Sequence, residues 1–188
     1  MKRLLIAALL LASGVSPPAL GYDPDRLSML QSVGHCPDCD LSGVNLAGVN
    51  LTTHVIGGDD VDLSRANLSG ANLSRTNLGQ ANLSGANLRE ANLSKAELGL
   101  ANLEQADLSA ADLTGTVLAG ANLAQANLSG ANLTGANLRG ANLTGAQLAG
   151  ANLTDANLIN ANLSGLDLSI ARLCRTMLPG NYRENRGC

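Results

Sequence analysis

Along residues 61–180 leucine recurs at every fifth position, from Leu63 to Leu178, dividing the segment into 24 consecutive quintets with leucine third in each. Two positions before each leucine stands a small residue, nearly always alanine (Ala66, Ala71, Ala81), and one before it usually asparagine (Asn67, Asn72, Asn82). A period of five matches neither the helical repeat of about 3.6 nor the strand repeat of about 2. Each quintet must therefore turn the chain through a fixed angle, and a right angle is the simplest closed solution. Four quintets make one square coil, and stacked coils pair backbone to backbone with Leu and Ala buried in vertical ladders. Asn and the two residues after Leu face outward, where Ser, Thr, Arg and Gln are solvated and Gly suits the corners. Recurring Asn-Leu-Ser-Gly runs carry too many turn formers and glycines for a helix. Period and proline content exclude collagen.

Residues 39–43, 44–48, 49–53 and 54–58 supply four further quintets before Asp59 and Asp60 break the phase. The expectation is about seven coils, a rod roughly 34 Å long at the usual strand spacing. The two-residue insertion is expected to bulge at one corner, because removing it would bring Ile56 and Leu63 back into step. Repeat stacks need closed ends. Asp23, Pro24, Leu27, Leu30, Val33 and Gly34 have the capping Asp, first-turn Pro, apolar spacing and terminating Gly of a short amphipathic helix over the first coil. At the other end Leu166, Met177, Leu178 and Tyr182 are larger than the alanines, and Pro179 with Gly180 stops the ladder.

Quintets such as Ala131-Asn132-Leu133-Thr134-Gly135 resemble, residue for residue, the A(D/N)LXX unit of the pentapeptide-repeat family, and the resemblance covers residues 39–180. It implies an all-β fold, a right-handed quadrilateral β-helix. Many members use Phe at some central positions; this chain has no Phe, so its core is expected to be narrow and filled with leucine.

The chain opens with Lys2 and Arg3, an apolar run over residues 4–12 and small residues at Ala19 and Gly21, the pattern of a secretory signal peptide over residues 1–21. The run is too short to span a bilayer and no Cys follows it to accept lipid, so no membrane insertion is expected after cleavage. This leaves a cap at 22–38, repeats at 39–180 and a tail at 181–188. It places the protein in the periplasm, or the thylakoid lumen of a cyanobacterium, or outside the cell.

Export changes the reading of the four cysteines, because an even number in an oxidising compartment favours disulfides. Proximity pairs Cys36 with Cys39 at the first coil and Cys174 with Cys188 at the tail. Cys36-Pro37-Asp38-Cys39 also has the spacing of a thiol-redox motif, without the surrounding βαβ pattern. Asp40 stands where haem attachment requires His. Zinc on His35, Cys36, Cys39 and His54 is a weaker alternative, His54 falling at an inward position. Asp59, Asp60 and Asp62 form a weak calcium candidate, since their turn occurs once and lacks a glycine at Asp60. No resident metal or cofactor is otherwise implied.

Two histidines and a regular row of hydroxyls such as Ser69, Ser84 and Thr134 offer no nucleophile with a base and an orienting partner, so no enzyme is expected. Grouping residues twenty apart puts Leu100, Val117, Ala119, Ile159 and Met177 on one outer face, a candidate partner contact. Loss of Lys2 and Arg3 with the leader leaves 10 basic and 15 acidic residues, with acids concentrated in residues 22–65 and Arg172, Arg175, Arg183 and Arg186 near the end. No basic stripe with stacking aromatics marks a nucleic-acid site. The residues point to an exported structural or interaction rod that contacts an envelope protein or polysaccharide. The family resemblance supplies the alternative, a DNA mimic that regulates a topoisomerase, as in some cytoplasmic members.

Overall fold

A computed structural model of the protein describes residues 25–26, 29–30, 34–51 and 60–188. From Asp62 onward, residues twenty apart are joined by parallel β-bridges in four ladders. The first face runs through Asp62, Asn82, Asn102, Asn122, Asn142 and Asn162; the second through Asn67, Asn87, Asp107, Asn127 and Gln147. The third contains Asn72, Asn92, Asp112, Asn132, Asn152 and Arg172, and the fourth Asn77, Glu97, Val117, Asn137, Asn157 and Met177. This is a β-helix of pentapeptide coils.

One quintet explains the rest. At a corner, Ala66 N–H donates to the Leu63 carbonyl at 3.1 Å. Arg65 sits there at φ 55°, so the turn is of type II. Glycine takes this left-handed position most cheaply, which is why it recurs there. The other N–H groups are also used: Asn82 donates to Val61 O of the preceding coil at 2.8 Å, Leu63 to Asn82 O of the next at 2.8 Å, and Arg65 to Ser84 O at 2.9 Å. The remaining donor, the residue after leucine, bonds to the asparagine side chain, as Ser84 N–H does to Asn82 Oδ1 at 3.2 Å. All five donors of such a quintet are satisfied, which a buried or half-buried backbone requires.

The interior is a column of leucines and alanines, with Leu63, Leu83, Leu103, Leu123 and Leu143 fully buried on the first face. Thr76, Thr116 and Thr176 replace alanine on the fourth face and are buried. Their hydroxyls donate to Leu46 O, Leu93 O and Leu153 O at 2.8, 2.8 and 2.7 Å, so the extra polar atom is satisfied inside the stack.

The first coil has a different phase from the one read in the sequence. His35 stacks on Asp62, Asp40 on Asn67, Asn45 on Asn72 and Asn50 on Asn77, all 27 residues apart. The helix therefore opens a quintet earlier, at residues 34–38, with Gly34 in the alanine place and Cys36 in the leucine place. The excess over a coil is seven residues rather than two. Leucine periodicity hid this because Cys36 is inward without being leucine. Ile56 and the quintet at 54–58 lie outside the described residues. Residues 25–26 and 29–30 are helical, Leu30 is buried, and Gly34 N–H donates to Leu30 O at 2.9 Å, so the cap joins the first coil directly.

At the far end the second ladder stops at Gln147. Leu166 occupies the alanine place and is too large for it, and the chain leaves the coil in a 3-10 turn at Leu168–Ile170, capped by Asp167. Strand β1 (Thr176–Leu178) turns through Pro179–Asn181 into β2 (Tyr182–Glu184), which pairs with it antiparallel. The tail thus reverses direction and closes the last coil, and Leu173 N–H donates to Arg186 O at 2.9 Å.

Candidate interaction surface

Both ends carry a disulfide. Cys36 and Cys39 are joined, with Cα atoms 5.4 Å apart, and are both buried; Cys174 and Cys188 are joined with Cα atoms 4.7 Å apart. The Cys36 sulfur lies 3.4 Å from Arg26 O in the helical cap. A disulfide sulfur has no hydrogen, so this is a packing contact and not a hydrogen bond. In the bridged state neither sulfur is a thiolate able to ligate zinc. His35 is half-buried and its backbone bridges Asp62; His54 lies outside the described residues.

The acidic corner is divided similarly. Asp59 lies outside the described residues and Asp60 is exposed. Asp62 belongs to the first ladder: its Oδ1 accepts from Ser64 N–H at 3.0 Å and Asn82 Nδ2 at 3.1 Å. Among the described residues no group of three or more His, Cys, Asp or Glu is placed to hold a metal.

Of the five residues read as an apolar stripe, Leu100 is 66% exposed, while Val117, Ala119, Ile159 and Met177 are half-buried. They share the fourth face, but Asn137 and Arg139 interrupt them between Ala119 and Ile159, and Met177 lies in β1 opposite Arg183 of β2. Leu100 stands at a corner at φ 60°, where a branched side chain is strained, and leans over the next coil so closely that a Cβ at Gly120 would meet its Cδ2 at 2.7 Å. Ile170 and Tyr182, also exposed, belong to the last coil and its returning tail. Their departure from the repeat was visible, but not their exposure.

The asparagines are the residues whose role periodicity understated. They are half-buried along most of the rod and bond from coil to coil: Asn122 Nδ2 donates to Asn102 Oδ1 and Asn142 Nδ2 to Asn122 Oδ1, each at 3.1 Å. The signal was the side-chain turn that Asn makes with the N–H two residues on. Where His35 and Met177 replace it, the residue two on is proline, Pro37 and Pro179, which has no N–H to satisfy. Neighbouring hydroxyls are committed too, Ser84 Oγ donating to Asn82 Oδ1 at 2.8 Å and Thr134 Oγ1 to Asn132 Oδ1 at 2.7 Å.

Charge is organised at the corners. Asp38 accepts from Arg65 Nε and Nη2, both at 2.7 Å, and Asp155 from Arg175 Nε and Nη2, both at 2.6 Å. The guanidinium hydrogen bonds hold each carboxyl below the usual carboxylate range and raise each arginine. Asp167 is lowered by its bonds from Ser169.

The family profile for pentapeptide repeats, with 8 copies, matches residues 62–99, 101–140 and 136–173. The chain belongs to the pentapeptide-repeat family. Among solved pentapeptide-repeat structures it is similar to HetL of the cyanobacterium Nostoc sp. strain PCC 7120, a protein involved in heterocyst differentiation regulation. The identity is 28%, over 82% of this chain and 92% of that one, at a TM-score of 0.49. Rfr23 of Cyanothece 51142 is 38% identical over 74% of this chain and 93% of that chain, with a TM-score of 0.36. QnrB1, a plasmid-mediated fluoroquinolone resistance protein, is 20% identical over 84% and 83%, with a TM-score of 0.45. None of the curated proteins matches this pentapeptide-repeat chain.

Proposed function

We propose that this pentapeptide-repeat protein is an exported, non-enzymatic rod that contacts an envelope protein or polysaccharide in the periplasm, or in the thylakoid lumen of a cyanobacterium. The observation that carries the reading is the pair of disulfides, one at each end of the β-helix. Such bridges persist in oxidising compartments and are reduced in the cytosol. The leader-like pattern of residues 1–21 agrees with them. A non-enzymatic role is supported by the hydroxyl rows, whose hydrogens are given to asparagine carbonyls instead of facing a base. Contact through the outer faces fits a rod whose interior is filled by leucine and alanine.

Crosslinking the tagged protein in intact cells, followed by fractionation and mass spectrometry, tests the proposal. A reproducible envelope partner supports it. Recovery of a topoisomerase from the cytoplasmic fraction would replace it with the DNA-mimic reading.

A further inference from the structure

The corner that follows the third face carries, coil by coil, Gly48, Arg75, Lys95, Gly115, Gly135, Asp155 and Arg175. At its far end Asp155 receives the Arg175 fork, and the corner of the first face repeats the arrangement with Asp38 and Arg65. In both, the aspartate stands one coil before its arginine in the same left-handed corner position, at φ 57° and 59°. Arg75 breaks the rule. The residue one coil before it is Gly48, so the carboxylate is missing; the residue one coil after it is Lys95, so a second cation takes its place beside it.

The result is a shallow notch of about 480 Å³ lined by Ala47, Gly48, Ser74, Arg75, Ser94 and Lys95. Neither Arg75 nor Lys95 has a carboxylate within ion-pair distance among the described residues. The serines add no donor, because Ser74 Oγ and Ser94 Oγ already donate to Asn72 Oδ1 and Asn92 Oδ1 at 2.9 and 2.7 Å. The N–H groups of Gly48, Arg75 and Lys95 are spent on Ser74, Ser94 and Thr114 carbonyls. What remains is a guanidinium and an ammonium on adjacent coils, lining one notch with Gly48, which stands where the other two corners place an aspartate.

We propose that this notch binds a phosphoryl group, its oxygens taking the place of the Asp38 and Asp155 carboxylates against Arg75 while Lys95 matches the second negative charge. The planar fork suits a tetrahedral oxyanion and the lysine acts as a point charge. A dianion fits two uncompensated cations better than a carboxylate does. This inference stands on the corner geometry alone and is independent of where the protein resides.

The test is calorimetric titration of the full oxidised chain, at low salt to limit screening, with inorganic phosphate in one arm and glycerol 3-phosphate in the other. The expected result is one equivalent bound, with a Kd on the order of 1 mM for so open a site. Arg75→Gln and Lys95→Gln should each weaken binding by about tenfold, the loss of a charge-assisted contact. Gly48→Asp should abolish it, by supplying Arg75 with the carboxylate that the other corners have. Gly48 lies at φ 70° and a Cβ there meets nothing within 4 Å, so the aspartate fits as Asp38 and Asp155 do. Tighter binding of the ester points to a phosphorylated molecule as the source, and tighter binding of inorganic phosphate to the free anion. Absence of heat with both ligands, or binding that persists unchanged in Arg75→Gln and Gly48→Asp, would overturn the assignment.

Discussion

Leu128→Ala is the sharpest probe of the packed column. Leu128 is fully buried on the second face and its N–H donates to Gln147 O at 2.8 Å, while Ala131 N–H donates to Leu128 O at 3.0 Å. These bonds hold the coil spacing, so the walls cannot close around a truncated side chain. Leu→Ala in cores costs about 2–5 kcal/mol, the upper values belonging to sites that do not collapse. About 4 kcal/mol is expected here, a large fraction of the ~5–15 kcal/mol typical of a folded domain. Leu163→Ala is the internal control: the same atoms are removed from a half-buried site on the last coil, where a loss of about 1–2 kcal/mol is expected, since the side chain is only partly removed from water. Guanidinium unfolding with the disulfides intact, followed by far-ultraviolet circular dichroism, measures both. Equal losses for the two variants, or a loss below about 1.5 kcal/mol for Leu128→Ala, would refute the rigid-column reasoning.

Three further outcomes are expected. Cys188→Ser opens the tail loop, whose ends are 14 residues apart, and should cost about 3 kcal/mol on the chain-entropy account; hydrogen exchange should show loss of protection at Leu173 N–H, and retained protection would separate tail closure from the bridge. Thr116→Val keeps the shape but loses the bond to Leu93 O, which still accepts from Ala96 N–H at 3.0 Å, so it should cost under about 1.5 kcal/mol, and less than Thr116→Ala, in urea midpoints. Asp38 and Asp155 have folded-state pKa values below the ordinary 3.8, so their pairs contribute stability above that value which is lost as pH falls through the lowered values. Unfolding midpoints measured from about pH 5 down to about pH 2 should therefore drop less steeply in Asp155→Asn, and identical slopes would contradict the ion-pair account.

The architecture was legible because leucine recurs from Leu63 through Leu178 without a break in phase, with alanine two places earlier in most quintets. The pattern failed at the first coil, where Gly34 and Cys36 do the work of alanine and leucine with other side chains, and backbone pairing over 27 residues could not be read from spacing. The fourth-face stripe was legible as a column but not as a surface: Arg139 interrupts it, and only Leu100 stands well clear of its neighbours. The asparagine ladder and the corner pairs of Asp38 with Arg65 and Asp155 with Arg175 depend on which residues lie one coil apart. That knowledge needs the ladder register, and at the first coil the register was the part hidden from the pattern.

The central claim, an exported β-helix closed by a disulfide at each end, is tested most directly by non-reducing peptide mass spectrometry on the protein isolated from its own cells. The account predicts a mature chain beginning at Tyr22, with Cys36 joined to Cys39 and Cys174 to Cys188. A chain retaining residues 1–21 with four free thiols, recovered from the cytoplasm, would contradict it.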